Sequence, residues 1–224
     1  MTNACLFSGG KDSTLALHMA MAQGIKIDLL ITMQTENEYS YMFHYPNIDA
    51  TKLQAEALGI KQIIIKTKGV KEEELMDLEA ALVDNDVKLI VSGAIASTYQ
   101  RDRINIIAKK HGIKSITPLW GIAPEKEFAE LIENYEVIIV QVSADGFDES
   151  FIGGKIDLEM VERLQKLYQE YGISQLFEGG EAETFVLNAP LFQKRIVIDQ
   201  ADKIWDGKVG RYLIQKARLV DKDK

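Results

Sequence analysis

Six residues near the N-terminus, Ser8-Gly9-Gly10-Lys11-Asp12-Ser13, have the types and spacing needed to hold a chain of phosphates. Paired glycines let backbone N–H groups approach an anion and form a concave nest. A helix starting there adds its positive end, and Ser8 and Ser13 add hydroxyl donors. Lys11 can neutralise phosphate oxygens, and Asp12 can hold a Mg²⁺ ion that bridges them. The spacing is not that of a Walker A loop, nor does the segment carry the G-x-G-x-x-G of dinucleotide folds. A plain strand-to-helix turn would use Gly-Gly and a capping serine, but would need neither Lys11 nor Asp12.

Such a loop works only at the end of a strand, and the flanking pattern supplies one. Ala4–Phe7 is short and apolar, and a helix follows over Asp12–Gln23 with Gly24 as its stop. The alternation continues with a strand at Ile25–Thr32, a loop over Thr35–Pro46, and a helix from an Asn47 cap to Leu58 with Gly59 at its end. Gln62–Lys66, Leu89–Ser92 and Ser115–Thr117 read as strands; Glu72–Asp84 and Tyr99–Lys110 read as helices. This predicts an α/β domain over residues 1–121, a doubly wound parallel five-stranded sheet of the Rossmann-like kind. After Pro118 and Pro124 the rhythm changes. A helix Glu125–Asn134, a buried strand Val137–Val142, a helix capped by Asp157 with Leu158, Val161, Leu164 and Leu167 in one stripe, and a hairpin around Asp206-Gly207 predict a smaller α+β domain over residues 122–224.

Composition narrows the classes. The 224 residues carry 26 Lys and Arg against 34 Asp and Glu, a net charge of −8, which disfavours a protein that grips nucleic acid through its phosphates. A single cysteine, Cys5, excludes an intrachain disulfide or a Cys-rich metal site and suits a reducing compartment. No stretch has the 18 or more apolar residues of a membrane span, and the N-terminus lacks a basic signal-peptide region, so a cytoplasmic protein with no membrane partner is expected. No glutaminase centre is apparent, which makes free ammonia the more natural source if a nitrogen is transferred.

The hexapeptide resembles the PP-loop of the ATP pyrophosphatase superfamily, which cleaves ATP between its α- and β-phosphates. Two further segments, Ser92-Gly93-Ala94-Ile95-Ala96-Ser97-Thr98-Tyr99-Gln100-Arg101-Asp102-Arg103 leading to Pro118-Leu119-Trp120, and Glu178-Gly179-Gly180-Glu181-Ala182-Glu183-Thr184, join Ser40-Tyr41-Met42-Phe43-His44 as blocks similar to those of the diphthine–ammonia ligase family. The resemblance implies ATP as substrate, Mg²⁺, ammonium, and a protein partner, translation elongation factor two bearing diphthine. It further implies an acyl-adenylate attacked by ammonia, giving diphthamide, AMP and pyrophosphate. Rival readings are an RNA-modifying or small-molecule amide ligase or thiolase of the same superfamily, and a nucleotide-binding sensor without chemistry. The oligomeric state stays open between monomer and homodimer.

Ligands of open α/β sheets bind beyond the carboxyl ends of the strands. Ser8–Ser13, Met33–His44 and Ser92–Arg103 should therefore meet in one crevice, with Met33, Ser92 and Gly93 at the nucleotide. Arg101 and Arg103 diverge by about 200° on a helix, which points one of them at solvent. Tyr99 and Arg103 share a face, which favours Arg103 for anion contact and places Tyr99 at the substrate. Glu178, Glu181 and Glu183 surround a Gly-Gly turn, where a solvated acidic loop is the plain alternative. With the resemblance, they would recognise a trimethylammonium group, position ammonium, or add a metal contact. This loop is expected to reach the nucleotide crevice and help hold the acceptor. His44 in its long loop is a further substrate candidate; His18 and His111 read as structural.

Overall fold

The computed structural model describes residues 1–35, 47–70 and 73–222. The chain divides into two compact units, Met1–Gly121 and Ile122–Lys224. In the first, β1 (Thr2–Leu6), α1 (Lys11–Ala22), β2 (Leu29–Thr35), α2 (Thr51–Leu58), β3 (Lys61–Thr67), α3 (Glu73–Asp84), β4 (Val87–Val91), α4 (Thr98–Lys110) and β5 (Lys114–Ile116) follow one another. The sheet runs β3-β2-β1-β4-β5 with every neighbouring pair parallel. The strand order reverses between β1 and β4, the switch point at which such sheets take ligands.

The apolar side chains of α3 and α4 seal one face of this sheet. Leu78, Ala81, Leu82, Ile104, Ile107 and Ala108 form one buried cluster with Ala4, Leu29, Ile31, Met33, Val87 and Ile90. Alternation along β2 therefore turns Leu30, Thr32 and Gln34 to the opposite face. Thr32 there is joined through Gln62 to Thr51 of α2. Two expected boundaries move. Ile25–Asp28 is a connection rather than strand, because pairing with β1 begins at Ala4 and Leu29. Asn47 does not cap α2: it is left-handed at φ 62°, and a 3₁₀ turn over Ile48–Ala50 intervenes before α2 starts.

The second unit holds α5 (Pro124–Asn134), β6 (Glu136–Val142), α6 (Leu158–Tyr171), β7 (Ala182–Asn188), β8 (Lys194–Trp205) and β9 (Gly210–Asp221). Its antiparallel sheet has the order β7-β6-β9-β8. Asp157 caps α6, accepting from Met160 N at 2.9 Å. The buried stripe of α6 is Met160, Leu164 and Leu167; Leu158, expected in it, is 70% exposed because it lies about half a turn round the helix from Met160 and Leu167. The β8–β9 turn closes on Asp206, whose carboxylate accepts from Val209 N and Lys208 N at 2.7 and 2.9 Å. Those two backbone donors hold its carboxyl below the usual range. Among the described residues no helix is long and apolar enough to cross a membrane.

Candidate active site

The loop between β1 and α1 is built for backbone exposure. Gly9 is left-handed at φ 79°, and a Cβ there would lie 2.2 Å from Gln54 Oε1 and 2.9 Å from Thr51 Cγ2, so only glycine fits. Gly10 is the extended N-cap of α1, with no side chain to shield the first helical N–H groups. Ser13 Oγ accepts from Ser8 N at 3.2 Å and donates to Gly10 O at 3.2 Å, which binds the two ends of the loop together. Ser8 Oγ lies 3.2 Å from Ser13 Oγ. The Lys11 side chain is 1% exposed with its Nζ on the Asp12 carboxylate, whose own side chain is 32% exposed.

The loop after β4 presses on this turn. A Cβ at Gly93 would lie 2.8 Å from both the carbonyl carbon of Asp12 and Ser13 N, so glycine is required by close backbone approach. Ser92 is buried, and its Oγ has no hydrogen-bond partner among the described residues. A buried hydroxyl without a partner beside a helix N-terminus suits a bound anion or its hydration. Met33 is different from the expectation. Its side chain lies in the apolar core against α3 and α4, which leaves only its backbone for a ligand. Phe7 N donates to Ile31 O, which shows Ile31 turned towards β1. Met33, two residues on, turns the same way, past the last β1–β2 pairing at Leu6 and Ile31.

Both arginines of α4 are half-buried, which corrects the expectation that one faces solvent. The Arg103 guanidinium stacks 3.4 Å over the Tyr99 ring, and that of Arg101 stacks 3.6 Å over Trp120. Arg101 also donates to Asp102 at 3.2 Å. Trp120 follows β5, and Gly121 N ties that segment back to Ile95 O at 2.9 Å. The helical angle alone misleads because long flexible side chains bend towards any aromatic face in reach. His44 lies outside the described residues. His18 is buried within α1, and His111 bonds Glu79, whose carboxyl is held low chiefly by Lys110 and then by His111.

The acidic loop of the second unit has an internal frame that its sequence does not announce. Glu181 Oε1 accepts from Ser174 N and Oε2 from Gly179 N, both at 2.8 Å. Each carboxylate oxygen of Glu181 thus accepts one bond from the loop backbone, so the residue expected at the substrate also braces its own loop. Ser143 adds two ties, N to Glu181 O and Oγ to Gly180 O, each 2.8 Å. Phe177 is left-handed at φ 65°, and its ring is 6.4 Å from that of Phe147, itself edge-on to Phe151 at 4.9 Å. A buried aromatic anchor holding a strained residue gives Glu178, the next residue, a set position. Glu178 and Glu183 are both half-buried.

Among the described residues, no three His, Cys, Asp or Glu side chains cluster to hold a metal ion. Asp12, partly exposed and paired with Lys11, is a single carboxylate beside this loop, which fits a Mg²⁺ that would take its other ligands from phosphate and water.

Fold and site define an α/β protein with a glycine-rich strand-to-helix loop at its switch point, together with a separate antiparallel unit. The family profiles described as Diphthamide synthase N-terminal domain and Diphthamide synthase C-terminal domain match residues 1–115 and 123–220. Curated relatives named diphthine–ammonia ligase include those of Homo sapiens (32% identical) and Mus musculus (31%), each alignment covering 91% of this chain and 85% of the relative. The Schizosaccharomyces pombe relative of that name is 28% identical over 98% of this chain and 39% of its own length. A solved structure described as a predicted subunit of tRNA methyltransferase from Methanocaldococcus jannaschii DSM covers 85% of this chain and 98% of its own, with 19% identity and a TM-score of 0.45, too loose to add weight. The chain belongs to the diphthamide synthase family, and it is an enzyme, a ligase.

Proposed function

We propose that the protein amidates the diphthine carboxylate of translation elongation factor two in the cytoplasm, using ATP and ammonia. The observation that carries this reading is the match of both diphthamide synthase domains, in order, over nearly the whole chain. The acceptor carboxylate attacks the α-phosphorus of ATP, and the bond to the β-phosphate oxygen breaks to release pyrophosphate. Ammonia then attacks the acyl carbon of the mixed anhydride, AMP leaves, and the nitrogen loses a proton to give the amide.

In this reading the backbone of Ser8–Ser13 and the hydroxyls of Ser8, Ser13 and Ser92 receive the phosphates. Gly93 allows the β4 loop to close against them, and the Met33 backbone meets the adenine edge. The Lys11–Asp12 pair exchanges partners when nucleotide enters. Lys11 turns to phosphate oxygens and stabilises charge on the departing pyrophosphate. Asp12 would hold Mg²⁺, which withdraws charge from the phosphate oxygens when bound. Arg103, held flat on Tyr99, supplies a further cation for the adenylate. Glu178 and Glu183 set negative charge for the fixed positive charge of the acceptor, with Glu181 holding their loop and His44 as a further acceptor contact. The test is direct: incubate the protein with diphthine-bearing factor, ATP and ammonium, then weigh the factor. Conversion of its carboxylate to the amide, dependent on all three, supports the reading; an unchanged mass refutes it.

A further inference from the structure

Beneath the Ser8–Ser13 loop runs a chain of polar side chains, buried except for half-buried Gln62, that none of the loop's own residues explains. Gln62 on β3 donates through Nε2 to Thr32 Oγ1 at 2.8 Å and to Thr51 Oγ1 at 2.7 Å. Thr32 Oγ1 donates to Phe7 O at 2.6 Å, and Thr51 Oγ1 donates to Ile48 O at 2.6 Å. One turn along α2, Gln54 Nε2 donates to Gly9 O at 2.8 Å. Thr32, Thr51 and Gln54 are fully buried. The directions are forced by proton count. Each hydroxyl owns one proton and spends it on a carbonyl, so on its other side it must accept. Both protons of a single amide nitrogen, that of Gln62, are therefore committed.

We propose that Gln62 is a positioning residue that sets the phosphate loop for ATP; this rests on the ATP-dependent reading above. Phe7 and Gly9 bracket Ser8, the first residue of the loop. Their carbonyls are held by Thr32 and by Gln54, and Gln62 fixes Thr32 directly and the first turn of α2 through Thr51. The same turn forms the wall against which Gly9 packs, with Thr51 Cγ2 and Gln54 Oε1 at the place a Cβ would occupy. A strand far along the chain thus fixes where the anion-facing N–H groups point, and such groups tolerate about 0.5 Å of error. Glutamate at this position has nearly the same shape but, when ionised, no protons. Both threonine hydroxyls would then have to turn from their carbonyls towards it. Methionine there removes the two donors without repulsion. Gln62 also borders an open cavity of about 440 Å³ lined by Gln34, Asp49, Lys52, Ile64 and Lys66, so water can reach an altered side chain and the fold should survive.

The experiment measures binding of Mg²⁺ and α,β-methylene ATP to wild type, Gln62→Glu and Gln62→Met by calorimetry, with thermal melts to establish that each is folded. Steady-state KM values for ATP and for the acceptor follow. The expected result is an analogue Kd raised about tenfold in Gln62→Glu and severalfold in Gln62→Met, per folded molecule. KM for ATP rises with it while KM for the acceptor stays, a split that general loss of stability would not produce. Folded variants that bind the analogue as wild type does overturn the inference and leave the proposed function intact. Wild type that fails to bind the analogue overturns both.

Discussion

Replacing Glu181 by glutamine separates a carboxylate that holds its loop from one that touches the acceptor. In the native loop the two oxygens accept from Ser174 N and Gly179 N at 2.8 Å. Hydrogen bonds to a charged acceptor contribute about 1.5–3 kcal/mol each, and a neutral one about 1 kcal/mol. Glutamine keeps one oxygen and places an NH₂ group against the other N–H. The nominal loss is about 2–5 kcal/mol, reduced to about 1–2 kcal/mol because Gly179 is exposed and water can take its N–H. In a unit of about 100 residues this lowers Tm by roughly 4–16 °C when the loop melts with the rest. Gly179→Ala is the companion perturbation. Its Cβ would sit 2.7 Å from Glu181 Oε1 and expel the carboxylate without changing any charge. Both variants should melt early, lose protection of the Ser174 and Gly179 amides in hydrogen exchange, and use the acceptor poorly while binding ATP normally. Glu178→Gln should lower Tm less than Glu181→Gln does and raise the acceptor KM. Glu181→Gln with native Tm and native amide protection, but impaired acceptor use, would refute the clamp and return Glu181 to the substrate.

Lys11→Ala should lower turnover by about 10²–10³, as loss of one donor to developing charge does, with the protein still folded; unaltered turnover would remove Lys11 from the chemistry. The nucleotide product should be AMP with pyrophosphate, read by anion-exchange chromatography, and stoichiometric ADP would exclude the adenylate. Burial pushes the Cys5 thiol up to about 12, so a thiol reagent at pH 8 should modify it only in guanidinium; fast native modification would contradict its burial. Between about 9 and about 12 the unfolded chain has lost a proton that the folded chain keeps, so Cys5 makes stability fall as pH rises through that window.

Local chemistry was legible without a structure. Gly9 and Gly10 need only their own backbone conformation and the start of α1 to leave the first helical N–H groups unshielded by side chains, and all of that lies within six residues. The alternation of short apolar runs with helical periods was enough to predict the parallel five-stranded sheet, because crossover connections leave few alternatives. The Asp157 cap and the Asp206 turn follow from bonds that span two or three residues. The same reasoning misplaced Asn47 and Leu158, where a capping preference and a helical period were overruled by how the neighbouring chain enters the helix.

What supports the site was decided by the tertiary structure alone. Gln62 and Thr32 are 30 residues apart in sequence, and Gln54 and Gly9 are 45 apart. A glutamine and two threonines in such positions look like any half-polar strand or helix until packing removes water from them. Arg101 finds Trp120 only because β5 returns beside α4, and the Met33 side chain is core because of which face α3 and α4 cover. Glu181 was indistinguishable in sequence from Glu178 and Glu183, since three carboxylates around two glycines carry the same charge. Only the folded loop decides which of them meets backbone N–H groups. Sequence determines which groups are able to do chemistry, because that is a property of each side chain and its immediate neighbours. Which of them are spent on holding the structure is decided by long-range packing, which sets the water, charge and donors that surround each one.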